Sequence, residues 1–473
     1  MDAFAAVREA SRTDELARRF DETAIVIETD AAHALLALSL ANLAARLWPN
    51  TRVVGPDVTV SAPPLIDGAL DEGARTLVAS ASLSTARPAA RTISVALGVP
   101  STSAALFATV DAWSLRMSPR PVASLSGDRG PAATAAAALL AAEIFRLVVP
   151  EIAGVRLAEQ IEWNLVDYRR TTLSGPPIDD VRATCFGAGS VGSSLVLALL
   201  LSNAKGKLVM VDDDSLQARN RLRYPLWIAP AQGRKIDWIA GLCQRRPLEI
   251  VALAETAQTY GSRLERPPAL AVSAVDSVGG RAAIADVLAR ETLNAGVDGL
   301  QLHVARHRFG DGLACVYCGY VDASPVASEL DIYVGLTGLS PRRVERLLAG
   351  ERLSSEDVEE MVASHRLDEA GASELSGGRL MDVGRARLYA EAAIPALGRV
   401  SVAAPFVSAL AGAILAAEVL KPTNRRLDRR VDVDLSGWPT GLTSRPQQDP
   451  TRRCLCWSTI RRRAYKRAWS IHE

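Results

Sequence analysis

One stretch constrains this fold more than any other: Ala183 to Asp214, ATCFGAGSVGSSLVLALLLSNAKGKLVMVDDD. An apolar run leads into Gly187, Gly189 and Gly192, spaced G-x-G-x-x-G. A helical apolar segment follows, then a second strand pattern ending at Asp212. Glycines there permit a tight turn and let backbone N–H groups approach a phosphate, and an acidic residue closing the second strand accepts ribose hydroxyls. The pattern predicts a nucleotide-binding β-α-β unit. Alone it leaves open whether the nucleotide is a redox cofactor or ATP.

The chain is long enough for two or three domains, at 473 residues. With 48% hydrophobic and 23% charged residues, a large core is expected and disorder is not. A net charge of +1 gives no reason to expect a nucleic-acid partner. The alanine-rich run Ala132–Val149 follows Gly130-Pro131 and carries Glu143 and Arg146, so it reads as a buried helix rather than a membrane span. No N-terminal stretch has a basic start, apolar run and small-residue cleavage site. Six cysteines in so long a chain do not suggest a disulfide scaffold. A cytoplasmic enzyme without a membrane partner is the expected class.

Ala24–Ile27 reads as a strand, Ala31–Leu47 as a helix and Arg52–Val54 as another strand, with no glycine in the turn between. The first half is therefore expected to be Rossmann-like without a nucleotide site. A second echo is the shared L-A-A-E at Leu140–Glu143 and Leu415–Glu418, in helices that each follow a proline. Expected domains are 1–167, 168–435 and a C-terminal segment 436–473. The second is interrupted by a charged helical insertion at about 322–397, with helix starts at Ser340-Pro341 and Ser354–Asp357. The basic tail Arg461–Arg467 reads as a solvated helix face.

The residues after Asp212 decide between the two nucleotides. Asn220 and Arg223 follow in DDDSLQARNRLR, then Lys235, one of five lysines, then Asp276 beyond the strand pattern Leu270–Val275. Two cations and a carboxylate added to a phosphate turn suit a triphosphate with magnesium better than a nicotinamide. Cys315-x-x-Cys318 and Cys454-x-Cys456 offer four thiolates, which suit a tetrahedral structural zinc; a redox pair or free thiols are the other readings.

This ordered set resembles the ThiF/MoeB/HesA adenylating enzymes, the superfamily of the ubiquitin-activating enzymes. The resemblance runs from about Tyr168 to Cys456, with Asp212-Asp213-Asp214, Asn220, Arg223, Gly233, Lys235 and Asp276 on the family's pattern. Departures are Arg219 where the pattern has Ser, Tyr224 where it has Gln, and a lysine motif one residue shorter. The resemblance implies an α/β fold of two Rossmann-like adenylation domains, an inactive and an active one forming a pseudo-dimer in one chain. The second carries the helical insertion and the zinc-binding C-terminal segment. It implies ATP, Mg2+ and structural Zn2+. Gly187, Gly189, Gly192, Asp212, Asn220, Arg223 and Lys235 would bind ATP, Asp276 would hold magnesium, and Arg18 or Arg19 would reach the γ-phosphate.

The same resemblance implies activation of a ubiquitin-like protein's C-terminal carboxylate and its transfer to a conjugating-enzyme-like partner, in bacterial pathways linked to antiviral defence. The alternatives are sulfur-carrier activation of the ThiF/MoeB kind and adenylation of a peptide in antibiotic biosynthesis. The family's transfer cysteine is missing from EAAIPALGRVSVAAPFVSALAG. Direct transfer from the adenylate, an oxygen ester on Ser401 or Ser408, or a role for Cys243 are the remaining routes. The chain is expected to be a monomeric pseudo-dimer or a homodimer.

Overall fold

The computed structural model describes residues 18–82, 88–150, 157, 159–176, 178, 180–228, 231–322, 329–348, 351–364, 375–378, 380, 383, 404–436 and 441–470. They fall into two compact units, one spanning Arg18–Asp322 and Ala403–Glu473, the other formed by the described part of Ala323–Val402.

The first half of the large unit runs β1 (Thr23–Thr29), α1 (Ala34–Ala44), β2 (Asn50–Val54), the hairpin β3 (Thr59–Ala62) and β4 (Ile66–Ala69), α2 (Leu70–Ala81), β5 (Arg91–Leu97), β6 (Leu106–Val110), β7 (Ser114–Ser118), α3 (Pro131–Val148) and β8 (Ile161–Asn164). β1 is apolar over four consecutive residues because parallel neighbours flank it and layers cover both faces. The six-stranded sheet has the order β2-β1-β5-β6-β7-β8, parallel through β6 and antiparallel beyond.

The second half runs β9 (Val181–Phe186), α4 (Ser190–Leu201), β10 (Gly206–Val211), α5 (Lys235–Leu242), β11 (Leu248–Leu253), α6 (Ala257–Ser262), β12 (Leu270–Ser273), α7 (Val278–Asp286), β13 (Glu291–Asp298) and β14 (Gln301–His307). The chain then supplies the small unit with α8 (Glu329–Thr337), α9 (Pro341–Leu348) and α10 (Ser355–Ala363). It returns as α11 (Pro405–Leu420), β15 (Arg430–Asp434), β16 (Gly441–Thr443) and α12 (Thr459–Ala468). The eight-stranded sheet has the order β11-β10-β9-β12-β13-β14-β15-β16. β16 pairs with β15, so the C-terminal segment extends this sheet.

Strand for strand, β2-β1-β5-β6-β7-β8 follows the same succession as β10-β9-β12-β13-β14-β15, with the change from parallel to antiparallel at the same step. The helices α1, α3, α4 and α11 are apolar nearly all round and buried along their lengths. A helix hydrophobic on every side belongs in an interior, and here α3 of the first half packs on α11 of the second, with Phe145 and Phe406 rings 5.6 Å apart. α3 is the one helix among the described residues long and apolar enough to cross a membrane, and 89% of it is buried inside the protein.

The L-A-A-E echo becomes a reciprocal contact. Arg146 pairs with Glu143 inside α3 and donates to Leu435 O, just past β15 of the second half. Lys421, three residues after Glu418 in α11, pairs with it at 2.5 Å and lies 4.5 Å from the ring of Tyr168, just past β8 of the first half. Tyr168 Oη donates to Glu418 Oε1 at 2.5 Å. Each half's helix thus grips the chain leaving the other half's corresponding strand.

The small unit has its own core of Leu339, Val344, Leu347, Leu353, Val358 and Met361, with Leu375, Leu380 and Val383. Helix α10 begins with a capping box, Asp357 N donating to Ser354 Oγ at 3.2 Å and Ser354 N to Asp357 Oδ2 at 2.7 Å.

Candidate active site

The glycine turn lies at the C-terminal end of β9, where strand order reverses between β10 and β12. Ligands sit at this point in open α/β sheets. Gly187 has φ +95°, and a Cβ there would stand 2.6 Å from Ala274 O. A Cβ on Gly192 would meet Gly187 O at 2.0 Å. Both positions require glycine. Gly189 faces open space, with nothing within 4 Å of a built Cβ. It precedes the first residue of α4, so the helix N-terminus opens onto that space.

Asp212 follows β10 directly, and its Oδ2 accepts from Ala188 N inside the glycine turn at 2.6 Å. Its Oδ1 accepts from Asp214 N at 2.9 Å. Burial pushes this carboxyl up, opposed by the Ala188 N–H and by Lys235. Lys235 opens α5 and is buried; its Nζ contacts Asp214 Oδ2 at 2.6 Å. Asp212, Lys235 and the turn are therefore one electrostatic group.

Asn220 sits in a short 3-10 helix, Ala218–Leu222, and its Oδ1 accepts from Gln217 N at 2.9 Å. That carbonyl shapes the loop. Arg223 follows, and its own carbonyl accepts from Ser190 Oγ, beside the glycine turn, at 2.5 Å. Burial draws the Arg223 guanidinium down, and Asp276 pulls it back up, so the two side chains share one field.

Asp276 is exposed on the loop between β12 and α7. One exposed carboxylate beside the glycine turn suits magnesium, which keeps several waters and binds through one or two carboxylates and phosphate oxygens. Arg281, which no sequence motif marks, is buried in α7; it donates to Asp276 O at 3.4 Å and Ala295 O at 3.3 Å and lies 4.5 Å from the Tyr320 ring. Its five-residue spacing from Asp276 is the only signal the sequence carries. Arg18 and Arg19 lie just before β1. Arg19, with Glu22, Thr23 and Arg91, lines a cavity at the opposite, N-terminal ends of β1 and β5.

The four cysteines converge. The Sγ atoms of Cys315, Cys318, Cys454 and Cys456 all lie within 4.8 Å of one another, with Cys318 Sγ 3.7 Å from Cys315 and 3.5 Å from Cys454 and Cys456. Thiolates about 2.3 Å from a tetrahedral zinc stand roughly 3.8 Å apart, so the cluster fits one zinc ion. None of the six cysteines is in a disulfide. Asp449 orders the second pair, its Oδ2 accepting from Cys454 N at 2.9 Å and Arg453 N at 2.8 Å. The cluster packs with Phe186, Tyr260 and Tyr465 in the core of the second half.

Of the candidate nucleophiles, Cys243 is buried at the end of α5, and burial pushes its thiol up to about 12. Burial of this kind makes a thiol a poorer nucleophile. Cys185 is buried in β9 with its thiol pushed up as well. Ser408 is buried in α11, and Ser401 lies outside the described residues.

No family model matches this chain. Among curated proteins it is similar to an uncharacterized protein, y4jF, of Sinorhizobium fredii, 28% identical over 236 residues. The match covers 47% of this chain and 45% of that protein, so the chain spans under half of the relative's length. Among solved structures it is similar to E. coli MccB with AMPCPP and selenomethionine MccA, at 11% identity and TM-score 0.32, covering 57% of this chain and 65% of that one. It is similar in the same measure to E. coli MccB with MccA-N7isoASN, at 11% identity and TM-score 0.33, covering 59% and 67%.

Proposed function

We propose that this chain adenylates the C-terminal carboxylate of a polypeptide with ATP. The observation that carries this reading is the meeting of the glycine turn, Asp212, the Lys235–Asp214 pair and the exposed Asp276 carboxylate at the ends of β10, β9 and β12. A carboxylate is a weak electrophile because its leaving group is poor. One of its oxygens attacks the α-phosphorus, the bond from Pα to the bridging oxygen breaks, pyrophosphate leaves, and an acyl adenylate remains. No proton has to move. The work is positioning and charge neutralisation.

Asp212 holds the ribose. The open N-terminus of α4 at Gly189 takes phosphate oxygens. Lys235 exchanges Asp214 for phosphate, and Arg223 faces the leaving pyrophosphate. Asp276 would hold the magnesium that accompanies the triphosphate, which would offset its charge.

The matched strand successions and the reciprocal Arg146 and Lys421 contacts support reading the large unit as an internal pseudo-dimer, whose first copy has no glycine turn. The cysteines bear on the fate of the acyl group. Four are clustered and two are buried with raised thiols, so a thioester on this chain has no ready sulfur. That favours direct use of the adenylate, as in peptide modification or sulfur-carrier activation, over a thioester relay. A ubiquitin-like protein passed to a conjugating-enzyme-like partner, with its link to antiviral defence, is the second reading; it requires that partner to attack the adenylate itself.

Incubation with MgATP and candidate polypeptides, followed by mass spectrometry with and without hydroxylamine, tests this. The expected product is an acyl adenylate on the polypeptide. ATP turnover without any carboxylate-dependent pyrophosphate release would overturn the reading.

A further inference from the structure

Asn42 and Arg46 lie along α1 and just beyond it, in the first half, yet their polar atoms serve the second. Asn42 Nδ2 donates to Pro225 O at 2.9 Å. Arg46 Nη2 donates to Asn42 Oδ1 at 2.9 Å, Pro225 O at 3.3 Å and Trp227 O at 3.2 Å, and its Nη1 donates to Arg221 O. Both residues are almost wholly buried, at 0% and 2% exposure. Burial, with Arg221 nearby, brings the Arg46 guanidinium down to about 9. Burying a guanidinium against neutral carbonyls is costly. What the arrangement secures is geometry.

The carbonyls it holds alternate along one strip of chain. Arg46 takes those of Arg221, Pro225 and Trp227, and Ser190 takes that of Arg223 between them. Arg221 adds a return contact, its guanidinium donating to Ser80 O in the first half at 2.7 Å. The backbone that carries Arg223 is therefore fixed on both sides, from the other half of the unit and from the glycine turn.

We propose that Asn42 and Arg46 are positioning residues through which the first half sets the aim of Arg223 at the nucleotide's phosphates. This rests on the adenylation reading. A guanidinium whose backbone is already fixed loses less freedom when it meets a phosphate, and a misplacement of about 1 Å can cost on the order of a hundredfold.

The test is a double-substitution cycle in the full chain, read as MgATP affinity by calorimetry. Arg46→Met keeps the volume and removes the donors, and should weaken MgATP binding roughly tenfold or more; Arg46→Lys should recover part of it. Combined with Arg223→Ala, Arg46→Met should add less than about twofold to the loss from Arg223→Ala alone, because one acts through the other. Fully multiplicative losses, or wild-type affinity in folded Arg46→Met, would overturn the proposal. Should Arg46→Met not fold, Asn42→Asp, which replaces the donor to Pro225 with a charged oxygen while keeping the acceptor for Arg46, enters the same cycle. Amide hydrogen exchange across 218–228 gives an independent readout, and unchanged protection in either variant also sinks the clamp. The adenylation reading fails differently, by MgATP binding without carboxylate-dependent pyrophosphate exchange.

Discussion

The two halves of the large unit share a strand succession and differ at the strand-end crevice. In the second half the turn after β9 is glycine, its backbone packs to within contact of Ala274, and the space over Gly189 is open. In the first half the corresponding turn is Asp30-Ala31-Ala32-His33. The His33 ring is buried there, its Nδ1 2.8 Å from Asp30 Oδ1 and its Nε2 2.7 Å from Thr109 Oγ1. It lies against Gly98, where a Cβ would stand 2.2 Å from Nδ1. One crevice is kept open by residues without side chains. The other is filled by the chain's own imidazole. The same framework thus leaves an open crevice in one place and a filled one in the other, according to the turn residues that succeed the first strand.

The largest expected effect separates the halves by chemistry. Asp276→Ala should lower ATP–pyrophosphate exchange by about a thousandfold or more while leaving the melting temperature near wild type, since Asp276 is exposed. Exchange at the wild-type rate would remove the second crevice from the reaction.

Metal removal probes a feature that only the second half has. Purified protein should contain one zinc per chain, and Cys456→Ser should lose it with about 4 kcal/mol of stability, roughly 10 °C in melting temperature. Metal analysis finding no zinc in the wild type would refute the cluster's assignment.

Next come the glycines. Gly192→Ala should cost about 3 kcal/mol, because its Cβ would meet Gly187 O at 2.0 Å and backbone must shift. Gly189→Ala should cost under about 1 kcal/mol yet weaken MgATP binding, since the new methyl enters the open space. Equal effects on folding from both would break the contrast.

In the first crevice, His33→Ala should cost about 2 kcal/mol through the lost contacts to Asp30 and Thr109. It should create no second MgATP site, because the turn still lacks glycines; a stoichiometry of two by calorimetry would overturn that.

The smallest effect is a difference in acid response. Burial holds the His303 imidazole, on β14, down to about 4 against an ordinary value of 6.5. Between those values the unfolded chain takes up a proton that the folded one refuses. Stability should therefore be full above pH 6.5 and fall as pH drops toward 4, by on the order of 1–2 kcal/mol between pH 7 and 5. The matching strand β7, SLRMS, has no histidine. His307, on the same strand, is held down to about 4 as well, so His303→Gln should remove about half of the combined slope in urea unfolding followed at several pH values.

Sequence by itself determined the two β-α-β units and the interior helices. Apolar runs flanking a glycine turn specify β9, α4 and β10 through local conformation and burial, and the alanine-rich runs specify α3 and α11 as interior helices. The spacing of Asp212, Asn220, Arg223, Lys235 and Asp276 marked the candidate site, since strand ends gather such residues in an α/β sheet. Tertiary structure decided what distance along the chain conceals. It brought Cys315 against Cys454, 139 residues away, and set Arg46 on Arg221, 175 residues away. It filled the first crevice with His33, set Arg281 on the Asp276 carbonyl and buried Cys243. Backbone preference is read within a few residues, whereas a side chain's partners depend on which distant segments pack beside it.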